Sequence, residues 1–250
     1  MVKVCILGTG KVGIHLIREC TNNPKIDLVQ IYNRSTKGSA LFKSLLPTTQ
    51  SVYQLKKADI YIVALPDKVI PKIDLSHISG LVVHTSGTVS FKALKSKRRG
   101  VLYPPQSFSK EKKMNLEHLP FCLETEFKED GVWLEKFASS ISKTVFFIDE
   151  KQRQKLHLAA VFANNFSNRV LGIAYDLCQE NNIDFNILQP LIEETFLKAQ
   201  ILSPYVAQTG PTLRNDYTTL EKHKSQLTST DLEVYNILTK SIQEKHGTEL

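Results

Sequence analysis

Within the first thirteen residues an apolar run, Val4–Leu7, leads directly into Gly8, Thr9, Gly10, Lys11, Val12 and Gly13, three glycines at the spacing G-x-G-x-x-G. Few folds accept that spacing between a strand and a helix. The chain must turn at the first glycine, pass close to a ligand at the second and pack helix on strand at the third. Residues Lys11–Asn23 carry helical periodicity and stop at Asn22, Asn23 and Pro24, after which a second apolar run, Leu28–Tyr32, begins. The opening is therefore a β-α-β unit of about 30 residues, and its loop is of the kind that holds a dinucleotide pyrophosphate on a helix N-terminus.

The same rhythm continues through Ile60–Ala64, Leu81–His84, Val101–Tyr103 and Val145–Ile148. Strands buried on both faces read as unbroken apolar runs. Their alternation with helical patterns predicts an α/β domain over residues 1–149, a Rossmann-type, mostly parallel sheet with crossover helices. After Asp149, read as a helix N-cap, the β-branched runs end. Leu156, Ala159, Ala160, Ala163, Phe166, Val170, Ala174 and Leu177 recur three and four apart, which predicts a helix reaching about Asn181. A second helix is expected after Asp184 through Leu202 and a third around Tyr217–Leu227. The last should start at Thr230, with Glu233 completing a capping box, and stop before Gly247. Residues 150–250 are thus expected to form an all-α domain.

The net charge of +7 over 250 residues raises the question of nucleic acid. Residues 1–149 hold 22 Lys and Arg against 13 Asp and Glu, a net of +9, so the rest of the chain carries −2. The densest run, Lys95 to Arg99, reads as the solvated C-terminal end of a helix, where cations are favoured. No nucleic-acid partner is expected. The longest apolar runs are far shorter than the roughly 20 residues a membrane span needs, and no secretory leader follows Met1. A cytoplasmic protein without a membrane partner is the expectation. Cys5, Cys20, Cys122 and Cys178 form no Cys-x-x-Cys pair and read as small buried hydrophobes, with no metal site.

An NAD-binding unit usually carries an acidic residue about 20 residues past its third glycine, on the ribose hydroxyls. Here Asn33, Arg34, Ser35 and Lys37 occupy that place, and no Asp or Glu occurs between Asp27 and Asp59. A guanidinium pairs with a 2′-phosphate in bidentate fashion, so the expected cofactor is NADP. Ligands in open parallel sheets bind outside the carboxyl ends of the strands. Ala64, Leu65 and Pro66, followed by Asp67, and Ser86 in the segment His84–Gly87 are therefore assigned to the nicotinamide side. With Gly8, Thr9, Gly10, Lys11, Val12 and Gly13 they complete the cofactor set. The stiff segment Tyr103–Phe108, with Pro104 and Pro105, is either a wall of the same cleft or only a rigid turn.

The helical half carries more polar chemistry than packing requires. His157 precedes Asn164 and Asn165 by seven and eight residues, so His157 and one asparagine share a helix face. Both asparagines are poor mid-helix residues. Arg214 and Asp216 follow a sharp Gly210–Pro211 turn, and His223 lies one to two turns on. His157, Asn164, Asn165, Arg214, Asp216 and His223 form the candidate catalytic set, with a structural Arg–Asp bridge as the competing reading of the turn.

Taken together, the glycine loop with Asn33, Arg34 and Ser35, then Ala64–Asp67, His84–Gly87, Tyr103–Phe108, His157 with Asn164 and Asn165, and Thr209–Asp216 with His223, resemble the Rossmann-like proteins carrying a C-terminal domain of unknown function 2520. The resemblance covers nearly the whole chain. It implies a predicted NADP-dependent oxidoreductase akin to pyrroline-5-carboxylate reductase, the deazaflavin-dependent NADP oxidoreductases and the β-hydroxyacid dehydrogenases. It also implies a small-molecule substrate and a helical domain that often dimerises. The β-hydroxyacid dehydrogenases set a catalytic lysine shortly before an Asn–Asn pair, where this chain has Val161, so His157 or His223 is the expected acid or base. A non-catalytic NADP-binding sensor is the alternative reading, and a flavin or deazaflavin hydride partner a further one.

Overall fold

Each apolar run of the first half is a strand in the computed structural model, which describes residues 1–35 and 46–247. These are β1 Val2–Leu7, β2 Ile26–Tyr32, β4 Ile60–Val63, β5 Leu81–His84, β6 Arg99–Tyr103 and β8 Val145–Phe147, joined by a two-residue β3, Thr48–Thr49, and by β7, Phe121–Thr125. The spatial order is β3-β2-β1-β4-β5-β6-β7-β8, parallel throughout except for the antiparallel pair β6·β7. The carboxyl ends of β1, β2, β4, β5 and β6 consequently share one edge, where Gly8, Asn33, Ala64, Thr85 and Pro104 follow their strands.

Successive residues of β1 serve opposite cores, which explains the unbroken apolar runs. Val4 and Ile6 pack with Leu16 and Ile17 of α1, Lys11–Asn22, and with Leu134 and Phe137 of α2, Lys128–Ser139. Cys5 and Leu7 pack on the other side with Tyr61, Val63, Ile70 and Leu75. That second face departs from expectation. The crossovers between β4 and β5 and between β5 and β6 hold only 3-10 turns, Ile70–Lys72 and Phe91–Ala93, instead of helices. Pro66 and Pro71 interrupt the first, while the Ser86 and Ser90 hydroxyls accept backbone N–H groups in the second, giving that backbone local partners other than a helix. The basic run Lys95–Arg99 is likewise not a helix end. It is irregular chain entering β6, with Arg98 paired to Asp130 and Arg99 to Glu126.

β8 leads to Asp149, whose carboxylate accepts the Gln152 N–H while the Gln152 side chain accepts that of Asp149, a complete capping box. From this cap α3, Glu150–Ala160, continues as a π-helical turn, Val161–Phe166, and then as α4, Ser167–Glu180. The chain divides into two compact units at this point, Met1–Phe166 and Ser167–Leu250, instead of at 149/150. The cause is local: Arg153 of α3 is fully buried, donates to the Glu124 carboxylate at 3.0 Å and to the Ser86 carbonyl at 3.2 Å, and thereby fastens α3 to β7 and to the loop after β5.

The second unit contains α4, α5 (Gln189–Ile201), α6 (Tyr217–Lys224) and α7 (Ser229–His246). Asp184 caps a short 3-10 turn ahead of α5. The capping box expected at Thr230 does not form. The N-cap is Thr228, without a side-chain hydrogen bond, and Ser229 takes a positive φ of 46°, so the helix starts before Glu233 can reach back. Among the described residues of this unit the only buried apolar side chains are Cys178 and Leu220. No helix among the described residues is long and apolar enough to cross a membrane.

Candidate active site

Gly8 adopts φ +113°, and a Cβ there would lie 2.3 Å from the Ala64 carbonyl oxygen, so the tight turn after β1 requires glycine. Gly13 packs as closely, on the Gly8 carbonyl. Gly10 differs: a Cβ would meet open space, so the glycine leaves room beside the N-terminus of α1. That N-terminus has no side-chain cap and no acidic residue in its first turn, which leaves its N–H groups free for an anion. Gly8, Thr9, Gly10, Asn33, Arg34, Ser35, Ala64, Leu65 and Pro66 line one cavity of about 800 Å³. Asn33 organises its rim: its side-chain amide donates to the Thr9 hydroxyl, its side-chain oxygen accepts the Ser35 N–H at 2.9 Å, and its backbone N–H reaches the Thr49 carbonyl at 3.0 Å.

Lys11, Val12 and Gly13 form the first turn of α1 without lining the cavity, and Lys37 lies outside the described residues. Ser86 does not line it either, since its hydroxyl accepts the Thr88 and Val89 N–H groups at 3.1 Å and holds the turn after β5. Tyr53, Lys68 and Lys72 do line the cavity and were not anticipated. The two lysines follow Pro66 at positions whose only sequence signal is that they lie just beyond a strand end. The residues present fit a dinucleotide phosphate group, with an uncapped helix start, space at Gly10, and Arg34, Lys68 and Lys72 supplying positive charge on the wall.

A second cleft of about 360 Å³ in the same unit is lined by Tyr103, Pro105, Gln106, Ser107, His157, Val161, Asn164 and Asn165, together with Ala160 and Ala163. Three of the candidate catalytic residues thus meet here, and Tyr103, Pro105, Gln106 and Ser107 form a wall of this cleft but not of the cavity beside the glycine loop. The π turn carries both asparagines to the cleft, a common use of such turns at functional sites. The Tyr103 hydroxyl lies 3.1 Å from His157 Nδ1, with the rings edge to face. His157 rests on the glycine of the His84–Gly87 segment, where a Cβ on Gly87 would come within 2.6 Å of its Nδ1.

Beneath them, burial raises the Tyr103 phenol above its ordinary pKa, with the Cys122 thiol adding to that and the Arg153 cation opposing it. His84, completely buried, is lowered to about 4 by burial and by Arg153. The thiols of Cys5 and Cys20 are pushed up to about 12 by burial, and all four cysteines are free and buried as read from the sequence.

Arg214, Asp216 and His223 belong to the second unit. Asp216 caps α6, accepting from the Thr219 N–H at 3.1 Å and the Thr219 hydroxyl at 2.7 Å, bonds that hold its carboxyl below the usual range. Neither an Arg–Asp bridge nor a shared anchor is needed to explain it. Arg214 is exposed. His223 Nδ1 faces the Tyr235 hydroxyl at 3.0 Å and lines an apolar cavity of about 380 Å³ with Val170, Leu177, Val234 and Leu238.

Residues 119–242 match the family model of a domain of unknown function, DUF2520. None of the curated proteins matches the chain. Among solved structures, the "putative NADP oxidoreductase" BF3122 from Bacteroides fragilis is 31% identical, with a TM-score of 0.88 over 97% of this chain and 98% of that one. TM1727 from Thermotoga maritima is 21% identical, with a TM-score of 0.73 over 98% of each chain. A Plasmodium falciparum pyrroline carboxylate reductase with NADP bound is 14% identical, with a TM-score of 0.61 over 96% of this chain and 98% of that one, a likeness of fold alone.

Proposed function

The chain belongs to the family of Rossmann-fold proteins that carry DUF2520 at the C-terminus, and on that premise we propose that it is an NADP(H)-dependent oxidoreductase acting on a small carbonyl, imine or alcohol. The observation that carries the reading is the dinucleotide cradle: an uncapped α1 N-terminus beside open space at Gly10, with Arg34 on the cavity wall. The absence of any acid between Asp27 and Asp59 favours a 2′-phosphate over a free ribose hydroxyl. The bound dinucleotide supplies or accepts hydride. The chain's own residues orient the substrate and handle the proton. Asn164 and Asn165 offer neutral hydrogen-bonding groups along the second cleft, and Tyr103 and His157 are its proton-bearing pair.

We assign the partner of the helical unit as a second copy of the chain. Ile187, Leu191 and Val206 are each more than 60% exposed and Ile201 is 82% exposed, in a unit with almost no apolar core of its own. Four free cysteines suit a reducing compartment such as the cytoplasm.

The test is oxidation of NADPH, followed by absorbance, with a panel of small ketones and cyclic imines. Turnover of at least one member above the rate without protein is expected. Tight NADPH binding with no turnover of any carbonyl, imine or alcohol in either direction would overturn the enzyme assignment and favour a sensor.

A further inference from the structure

We propose that Tyr103 is the proton donor of the reaction and that His157 is a positioning residue that reprotonates it, an inference that rests on the oxidoreductase reading above. Tyr103 ends β6 on the carboxyl edge of the sheet, the edge that also carries the glycine loop. Three strand spacings, about 14 Å, separate β6 from β1, so cofactor cradle and phenol lie along one ligand-length stretch of that edge. A strand end fixes the phenol more rigidly than a loop would.

The division of labour follows from burial. Tyr103 is 6% exposed, with its hydroxyl reaching the second cleft. His157 is only half-buried, so a proton can pass from solvent to its ring and from its Nδ1 to the phenol oxygen 3.1 Å away. Beneath the pair, burial raises the Tyr103 phenol and keeps it protonated at rest, the fully buried Arg153 opposes that rise in part, and Glu124 holds the guanidinium in place. The titratable and charged groups that face the phenol are Cys122 on β7 and Arg153 and His157 on α3. With Val161 where a lysine would stand, the cleft lining contains no ammonium to compete for the role.

The step balances as follows. The substrate's carbonyl or imine carbon gains a hydride, with its electron pair, from the reduced nicotinamide dinucleotide. The π pair moves to the oxygen or nitrogen, which takes the Tyr103 proton. The O–H bonding pair stays on the phenol oxygen as phenolate. That oxygen then takes the Nδ1 proton of imidazolium His157, whose ring recovers a proton from solvent.

The test uses the full chain labelled with [ζ-13C]tyrosine, the Tyr103 signal being assigned by its loss in Tyr103→Phe. That signal should show an inflection with pH that vanishes in His157→Gln. A Tyr103 signal that ignores His157 overturns the pairing and with it the proposal. With the panel member that the wild type reduces, Tyr103→Phe should lose at least about 100-fold in kcat. KM and the affinity for NADPH should stay within about twofold. His157→Gln should lose less and displace the acidic limb of the pH profile. Retention of kcat within threefold by Tyr103→Phe, or a loss confined to KM, overturns the donor assignment. Failure of NADPH to bind the wild type removes the oxidoreductase reading instead, and is distinguishable because the coupled titration would remain.

Discussion

His84 is a neutral imidazole locked into the core. Its Nδ1 accepts the Ser86 N–H at 3.2 Å, and burial next to Arg153 lowers its pKa to about 4. An unfolded chain would bind a proton on this ring below about pH 6.5, whereas the folded chain resists until about 4. The stability that results is fully present above pH 6.5 and is lost as the pH falls from there towards 4, by an amount on the order of 3 kcal/mol. Asp216, Glu117 and Glu126, whose carboxyls are lowered by their hydrogen-bond partners, weaken the fold as well, but only once the pH drops below the ordinary carboxylate range. Urea midpoints should therefore fall clearly between pH 7 and pH 5, and His84→Asn should flatten that slope even if it lowers the midpoint at pH 7. An unchanged slope in the variant would contradict the assignment. The same buried guanidinium that depresses His84 lies beside Tyr103, so one cation serves both the core and the cleft.

At the scale of elements, the junction between sheet and helices depends on the start of α3. Replacing Asp149 with Ala removes one side of its capping box and should lower stability by about 1 kcal/mol, seen as a lower urea midpoint for the first unit with NADPH affinity unchanged. No change would mean that the buried Arg153 contacts alone set the helix start. The Asp149 cap, the glycine loop with α1, and the strands β1, β2, β4, β5 and β8 were legible because their signals are local: a period, a cap, a glycine spacing. β7 and α2 were not. Phe121–Thr125 is five residues long behind Pro120, and Lys128–Ser139 has Gly131 in its first turn and turns the charged Asp130 inward with its apolar face, which blurs the helical pattern. The π turn also left no periodic trace. The pairing of Tyr103 with His157 spans 54 residues and two elements, so spacing carried no sign of it, although each residue lay in a segment that the sequence singled out.

For the whole molecule, the cofactor cavity and the Tyr103–His157 cleft both belong to the first unit, while the second unit leaves its apolar residues uncovered. Light scattering at micromolar concentration should report about twice the 28.3 kDa of one chain, and charged substitutions such as Leu191→Glu together with Ile201→Glu should shift it towards the monomer. A wild-type monomer would refute the assignment. The central claim, that the cavity beside the glycine loop is built for NADP(H), meets its most direct test in calorimetry of NADPH and NADH binding to the full chain. The proposed pairing of Arg34 with a 2′-phosphate predicts that NADPH binds at least about tenfold more tightly, about 1.4 kcal/mol, within the range of one charge-assisted hydrogen bond. Equal affinities, or no binding of either nucleotide, would contradict it.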